Sequence, residues 1–153
     1  MNVIIDTREK KNIFYFKSYA DVNITIGTLR TADYTCKGYE DIVAVDRKAT
    51  ASELSINLGV KLDTFKRELE RMRSIEFCYF VCTFPYSHLE TFPVNSGIPK
   101  KRWKGLKITG KYLRSKVKQI EEDYPNVKFI FCNTQDEAEE MTYNILREHT
   151  GGR

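Results

Sequence analysis

Residues 77–84 read Phe-Cys-Tyr-Phe-Val-Cys-Thr-Phe, and no other stretch restricts the fold as tightly. Successive side chains of a β-strand point to opposite faces, so a strand with one wet face alternates apolar with polar. This run is apolar at both parities, which places it inside a sheet covered on both sides. The covering elements can be read from the rest of the chain. Residues 49–58 suit a helix, with Thr50 or Ser52 as N-cap, Leu54 and Leu58 on one face and Gly59 as its stop. A second helix opens at Asp63 and carries the apolar stripe Phe65, Leu69 and Met72. Thr109 caps a third that turns Tyr112, Leu113, Val117 and Ile120 inward. A fourth spans 134–149, opens Thr-x-x-Glu, and has Ala138, Met141, Ile145 and Leu146 as its core face.

Strand signals recur at Val3-Ile4-Ile5, over 22–34 with a break at Gly27, at Ile42-Val43-Ala44-Val45, and over 127–132. Residues 11–20, with Phe14 and Phe16, fit either a short helix or a loop, and 88–107 is punctuated by Pro and Gly as irregular chain. The order β-β-β-α-α-β-α-β-α predicts an α/β fold: one domain with a mixed central β-sheet flanked by helices. At 153 residues one such domain has room for a sizeable core.

The chemistry gathers around Asp33-Tyr34-Thr35 and Val45-Asp46-Arg47-Lys48. Twelve residues separate the two acids, with a glycine turn at Gly38 between them, so a hairpin brings Asp33 and Asp46 to neighbouring strand ends. Lys48 then shares a strand face with Asp46. Two adjacent carboxylates disfavour each other's ionisation unless a cation joins them. Carboxylate oxygens suit a hard divalent ion, and the lysine suits an anionic substrate. Taken by spacing alone, the same residues also describe a solvated hairpin edge. His88 and His149 stand apart from any serine or cysteine constellation, which leaves a histidine-based nucleophilic mechanism without support.

Val3-Ile4-Ile5-Asp6-Thr7-Arg8-Glu9, Ala32-Asp33-Tyr34, Val45-Asp46-Arg47-Lys48-Ala49 and Glu53-Leu54-Ser55-Ile56-Asn57-Leu58 together resemble the nuclease domain of the XPF/Hef family of structure-specific DNA endonucleases. The family pattern is an Asp-x-Arg-Glu strand, a Gly-Asp or Ala-Asp pair, then Glu-Arg-Lys, three residues and Asp. The resemblance implies a restriction-endonuclease-like core over residues 1–150, without the helix-hairpin-helix module that follows it in the family. It implies a metal-dependent endodeoxyribonuclease acting on branched, flap or junction DNA in repair, recombination or replication. Asp33, Asp46 and the carbonyl of Arg47 would hold Mg²⁺ or Mn²⁺, and Lys48 would orient or activate the attacking water. Asp6 would orient a metal-bound water and Arg8 would contact phosphate, although without the resemblance those two read as a surface ion pair. Asp46 stands in place of the family's glutamate, and Ser52 in place of its last aspartate, where only Glu53 is at hand to compensate. Members with degraded sites supply the alternative, a non-catalytic DNA-binding subunit. A homodimer or a partner subunit is also implied. Glu68 and Arg71 can face the site from the second helix, against the simpler reading of a helix-surface pair.

The formal net charge of +4 conceals a segregation. Residues 91–120 hold nine basic side chains and no acid, which leaves the remainder at −5. Lys100, Lys101, Arg102, Lys104, Lys107 and Lys111 are the candidate contacts to a DNA backbone, and a solvated face is the alternative. Trp103 among them can stack on an unpaired base or anchor the loop. No apolar run approaches membrane-spanning length, no signal-peptide pattern opens the chain, and Cys36, Cys78, Cys82 and Cys132 lack zinc-site spacing. Reduced, buried thiols in an intracellular protein are expected.

Overall fold

The computed structural model describes residues 1–151. Six strands form one mixed sheet: β1 (Asn2–Asp6), β2 (Asn23–Gly27), β3 (Tyr34–Cys36), β4 (Val43–Lys48), β5 (Phe77–Cys82) and β6 (Val127–Phe131), in the order β2-β1-β3-β4-β5-β6. β3 runs antiparallel to both its neighbours, and the remaining pairs are parallel. The apolar run at 77–84 is an interior strand as expected, fifth of six, paired through Asp46↔Phe80 to β4 and Phe80↔Phe129 to β6.

The helices α1 (Ala51–Leu58), α2 (Leu62–Met72) and α4 (Gly110–Asp123) cover one face, and α5 (Gln135–Thr150) covers the other. Strand alternation sorts β5 between them. Cys78, Phe80 and Cys82 pack with Leu54, Phe65, Leu69 and Leu113, whereas Val81 packs with Val45, Ala138 and Leu146. The predicted stripe of α2 is buried at Phe65, Leu69 and Met72. Thr50, Thr109 and Thr134 each accept a hydrogen bond from the backbone N–H three residues on, so all three N-caps form. All four cysteines are free and buried, and burial pushes the Cys78 thiol up to about 12.

Three local readings change. The stretch 22–34 splits: β2 stops at Gly27, 28–33 is irregular, and a separate strand starts at Tyr34. The reason lies in tertiary bonds, because Leu29 N–H donates to the Asp6 carboxylate at 2.9 Å and Ala32 takes a left-handed backbone with φ 67. Residues 11–20 form no helix, and Phe14 and Phe16 are instead buried around the Tyr34 ring. The irregular 88–107 segment contains a short helix α3 (Ser87–Glu90) at its start and a 3-10 helix at Lys100–Gly105. Among the described residues no helix is long and apolar enough to cross a membrane.

Candidate active site

β1 and β4 leave the sheet at the end where the antiparallel β3 enters it, so Asp6, Asp46 and Asp33 meet there. Asp33 is set by its backbone: its N–H donates to Val45 O at 3.0 Å, and the left-handed turn at Ala32 aims the chain into that bond. A non-glycine residue in that region costs on the order of 1 kcal/mol, which the flanking pairing overrides. Asp6, Arg8, Asp33 and Asp46 line one cleft of about 240 Å³, together with Glu68, Arg71 and the 30–32 turn.

Each acid has a different environment. Asp6 is 2% exposed; its Oδ2 accepts from Arg8 Nε at 2.7 Å and its Oδ1 from Leu29 N–H. Burial raises its affinity for a proton, but those donors outweigh burial and hold the carboxyl below the usual carboxylate range. Asp33 offers Oδ2 to the Arg47 backbone N–H at 2.8 Å. Burial, then the Asp46 and Glu9 charges, push its carboxyl well above the ordinary value. Asp46 is 6% exposed and pairs with the Lys48 ammonium at 3.2 Å. Lys48 stands behind Asp46, near the Phe65 and Phe80 rings, and does not line the cleft itself. Burial alone would favour its neutral amine, but the Asp46, Glu68 and Glu53 carboxylates outweigh burial and keep it charged.

Arg47 contributes only its backbone here. Strand alternation turns its guanidinium to the opposite face, where Nε donates to Glu9 at 3.0 Å and Nη2 to Lys11 O at 2.7 Å. Glu9 also accepts from the Tyr34 hydroxyl at 2.8 Å, so the Asp-x-Arg-Glu strand is stitched to the acid hairpin by its last residue.

Ser52 lies outside the cleft, with its N–H bonded to Ser96 O at 3.0 Å. Glu53 does not replace the missing acid: it accepts from Ala49 N–H at 3.3 Å while its own N–H donates to Thr50, a reciprocal cap at the start of α1. Glu68 of α2 is the carboxylate that enters the cleft. Burial and the neighbouring Asp46 raise it to about 8. Its signal in the sequence is position, since it falls three residues after Phe65 and beside Leu69, at the edge of the buried stripe.

Among the described residues no group of three His, Cys, Asp or Glu side chains is gathered to cage a metal ion. The donor set nonetheless fits Mg²⁺ or Mn²⁺. Its side chains offer carboxylate oxygen and no nitrogen or sulfur ligand, Asp33 and Glu68 are destabilised as anions in a way a cation relieves, and Mg²⁺ ordinarily takes one or two protein carboxylates with water and substrate phosphate.

The basic segment is built differently. No residue of the 3-10 helix at Lys100–Gly105 is buried, and Lys107 and Lys111 are exposed. Trp103 is half-buried and its indole N–H donates to Ile98 O at 2.9 Å, which braces the turn that presents the lysines. The segment packs beside Ser52, Ser55 and Ile56 of α1, so its link to the acids runs through the helix that follows Lys48.

The fold has solved counterparts. A structure described as XPF from Aeropyrum pernix superposes with a TM-score of 0.71 at 16% identity, over 100% of this chain and 64% of that one. A second, described as XPF from Aeropyrum pernix in complex with DNA, gives 0.68 at 17% identity, over 99% and 66%. The chain thus spans less than two thirds of either. No curated protein sequence matches it. The sequence profile described as the ERCC4 domain matches residues 5–145. The chain belongs to the ERCC4 domain family.

Proposed function

We infer that this chain is a metal-dependent endodeoxyribonuclease that cuts branched or flapped DNA. The observation that carries the reading is the cleft itself: Asp6, Asp33 and Asp46, far apart in sequence, line one opening with Glu68, and a charged lysine is held behind Asp46. Asp33, Asp46 and the Arg47 carbonyl are the groups assigned to the ion. When bound, the ion supplies Lewis-acid polarisation of the phosphoryl oxygens and a water acidified towards hydroxide. The chain's own residues do the positioning. The Arg47 N–H fixes Asp33, and Asp6 orients Arg8, whose side chain is 68% exposed and free to fork onto a phosphate. Lys48 supplies a fixed positive charge behind Asp46, in the layer next to the cleft where phosphoryl charge would develop.

Lys100, Lys101, Arg102, Lys104, Lys107 and Lys111 carry backbone affinity, with Trp103 as their brace. The DNA complex among the similar structures supports a nucleic-acid partner. Branch preference is assigned to a partner subunit or a second copy.

Ser52 supports the second reading, a DNA-binding subunit with a weakened site. Labelled flap DNA incubated with the purified chain, with Mg²⁺ and with chelator, separates the two. The nuclease reading expects cleavage only with the ion. Tight binding without cleavage in Mg²⁺ or Mn²⁺ selects the other.

A further inference from the structure

Strand alternation places a second feature directly behind the acids. On β1 and β4 the residue two positions before the acid points to the same face, Ile4 behind Asp6 and Ala44 behind Asp46, and the register Ile4↔Thr35 sets Thr35 of β3 beside them. These three residues floor a slot of about 310 Å³, walled by Leu29 and Ile75. The slot and the acid cleft share Arg30, Thr31 and Arg71, so they adjoin across those residues. The slot starts about 7 Å along the strands from the carboxylates.

Two observations point to a ligand. Thr31 is 8% exposed, lines both openings, and its hydroxyl finds no hydrogen-bond partner among the described residues. Buried hydroxyls are nearly always satisfied, so this one is completed by an ordered water or by a ligand oxygen reaching the junction. Arg30 and Arg71 are exposed at the same junction and enter no ion pair among the described residues. Guanidinium groups beside a slot that offers Ile4, Leu29, Ala44 and Ile75 among its polar lining suit a phosphate joined to an aromatic base. The far end of the slot carries Glu40 and Asp41, which repel phosphate and accept from base N–H groups, so the phosphate belongs at the arginine end.

We propose that this slot binds one unpaired nucleotide next to the scissile phosphate, base against Ile4, Leu29 and Ile75, phosphate on Arg30 and Arg71, and a sugar or phosphate oxygen on Thr31. A paired base cannot enter, because its edge and both faces are already occupied in the duplex. The proposal rests on the nuclease reading for the identity of the cleft, and it adds the device that selects single-stranded character at the cut.

The test is a walk of single abasic positions through a flap substrate, with affinity measured in Ca²⁺ and cleavage measured separately in Mg²⁺. One abasic position is expected to weaken binding about tenfold, or about 1.4 kcal/mol, and the rest little, since only that position loses a base held against Ile4, Leu29 and Ile75. Gly27→Leu places a side chain against the floor, where a Cβ meets Ile4 Cγ2 at an ordinary 3.5 Å. That variant, checked for an unchanged circular dichroism spectrum and melting temperature, should erase the abasic sensitivity. Arg30→Ala with Arg71→Ala is the second route, two exposed positions whose loss leaves the core intact, and should lower flap affinity more than duplex affinity. A uniform response along the walk in a chain that cleaves overturns the slot while leaving the nuclease reading standing. A single sensitive position in a chain that never cleaves supports the slot and removes the nuclease reading.

Discussion

The acid cleft and the basic segment are both charged, yet they are built on opposite terms. At the cleft, Asp6, Asp46 and the Lys48 behind it are almost wholly removed from water and each is tied to a named partner. In the segment, Lys100, Lys101 and Lys104 stand in solvent on one short 3-10 helix in which nothing is buried. The difference tracks what each charge is asked to do. Burying a charge is costly and repays itself only where position matters, as it does for a reacting phosphate. Attraction to a polyanion depends on number and proximity, which exposed lysines provide without loss of their mobility. On the proposed function the contrast would separate catalysis from binding.

The largest expected effect is at Lys48. Lys48→Met retains bulk but removes the cation that, among the described residues, pairs with Asp46, so cleavage should fall by about 10²–10⁴-fold while metal affinity, followed by calorimetry, changes little. A variant that loses metal affinity yet cleaves normally at saturating ion would reverse the assigned roles.

Much of the fold was legible because its signals are local. The two-sided run at 77–84, the stripe Phe65, Leu69 and Met72, and the three threonine caps are each decided within a few residues. The meeting of Asp33 and Asp46 was legible too, since a hairpin needs only its turn and its spacing. What escaped depends on contacts across the chain. The Leu29 to Asp6 bond that ends β2 joins residues 23 apart. Glu68 was legible only as one of two readings, facing the site or pairing on the helix surface, and its place in the cleft decides between them. Glu53 could have been ruled out as a substitute acid, because Thr50-x-x-Glu53 is itself a capping pattern that commits the carboxylate.

The next effect concerns pH. Glu68 sits near 8 in the folded chain against an ordinary 4.5, and Asp33 is raised as well, so between those values the folded chain holds protons that the unfolded chain has released. Stability of the metal-free protein should therefore fall as pH rises from about 4.5 to about 8, by on the order of a few kcal/mol. Asp6, lowered, acts only at more acidic pH and does not oppose this. Urea midpoints across that range should show the decline in wild type and a flatter line in Glu68→Gln. An equal slope in both would detach Glu68 from the cleft.

A smaller effect belongs to the segment. Neutralising Lys100, Lys101 and Lys104 together should reduce the logarithmic salt slope of DNA affinity by about 2–3, at roughly 0.7–0.9 per lost contact. Duplex, flap and single strand should weaken alike, because phosphate contacts carry no sequence information. An unchanged slope would show that these lysines are an ordinary solvated face.

The most direct measurement compares Asp46→Asn and Asp33→Asn with wild type on one flap substrate, reading affinity in Ca²⁺ and single-turnover cleavage in saturating Mg²⁺. Both variants, confirmed folded, should lose cleavage by orders of magnitude and bind DNA as well as wild type or better, since each removes one repulsive carboxylate. Cleavage at the wild-type rate in either variant would contradict the assignment of the cleft.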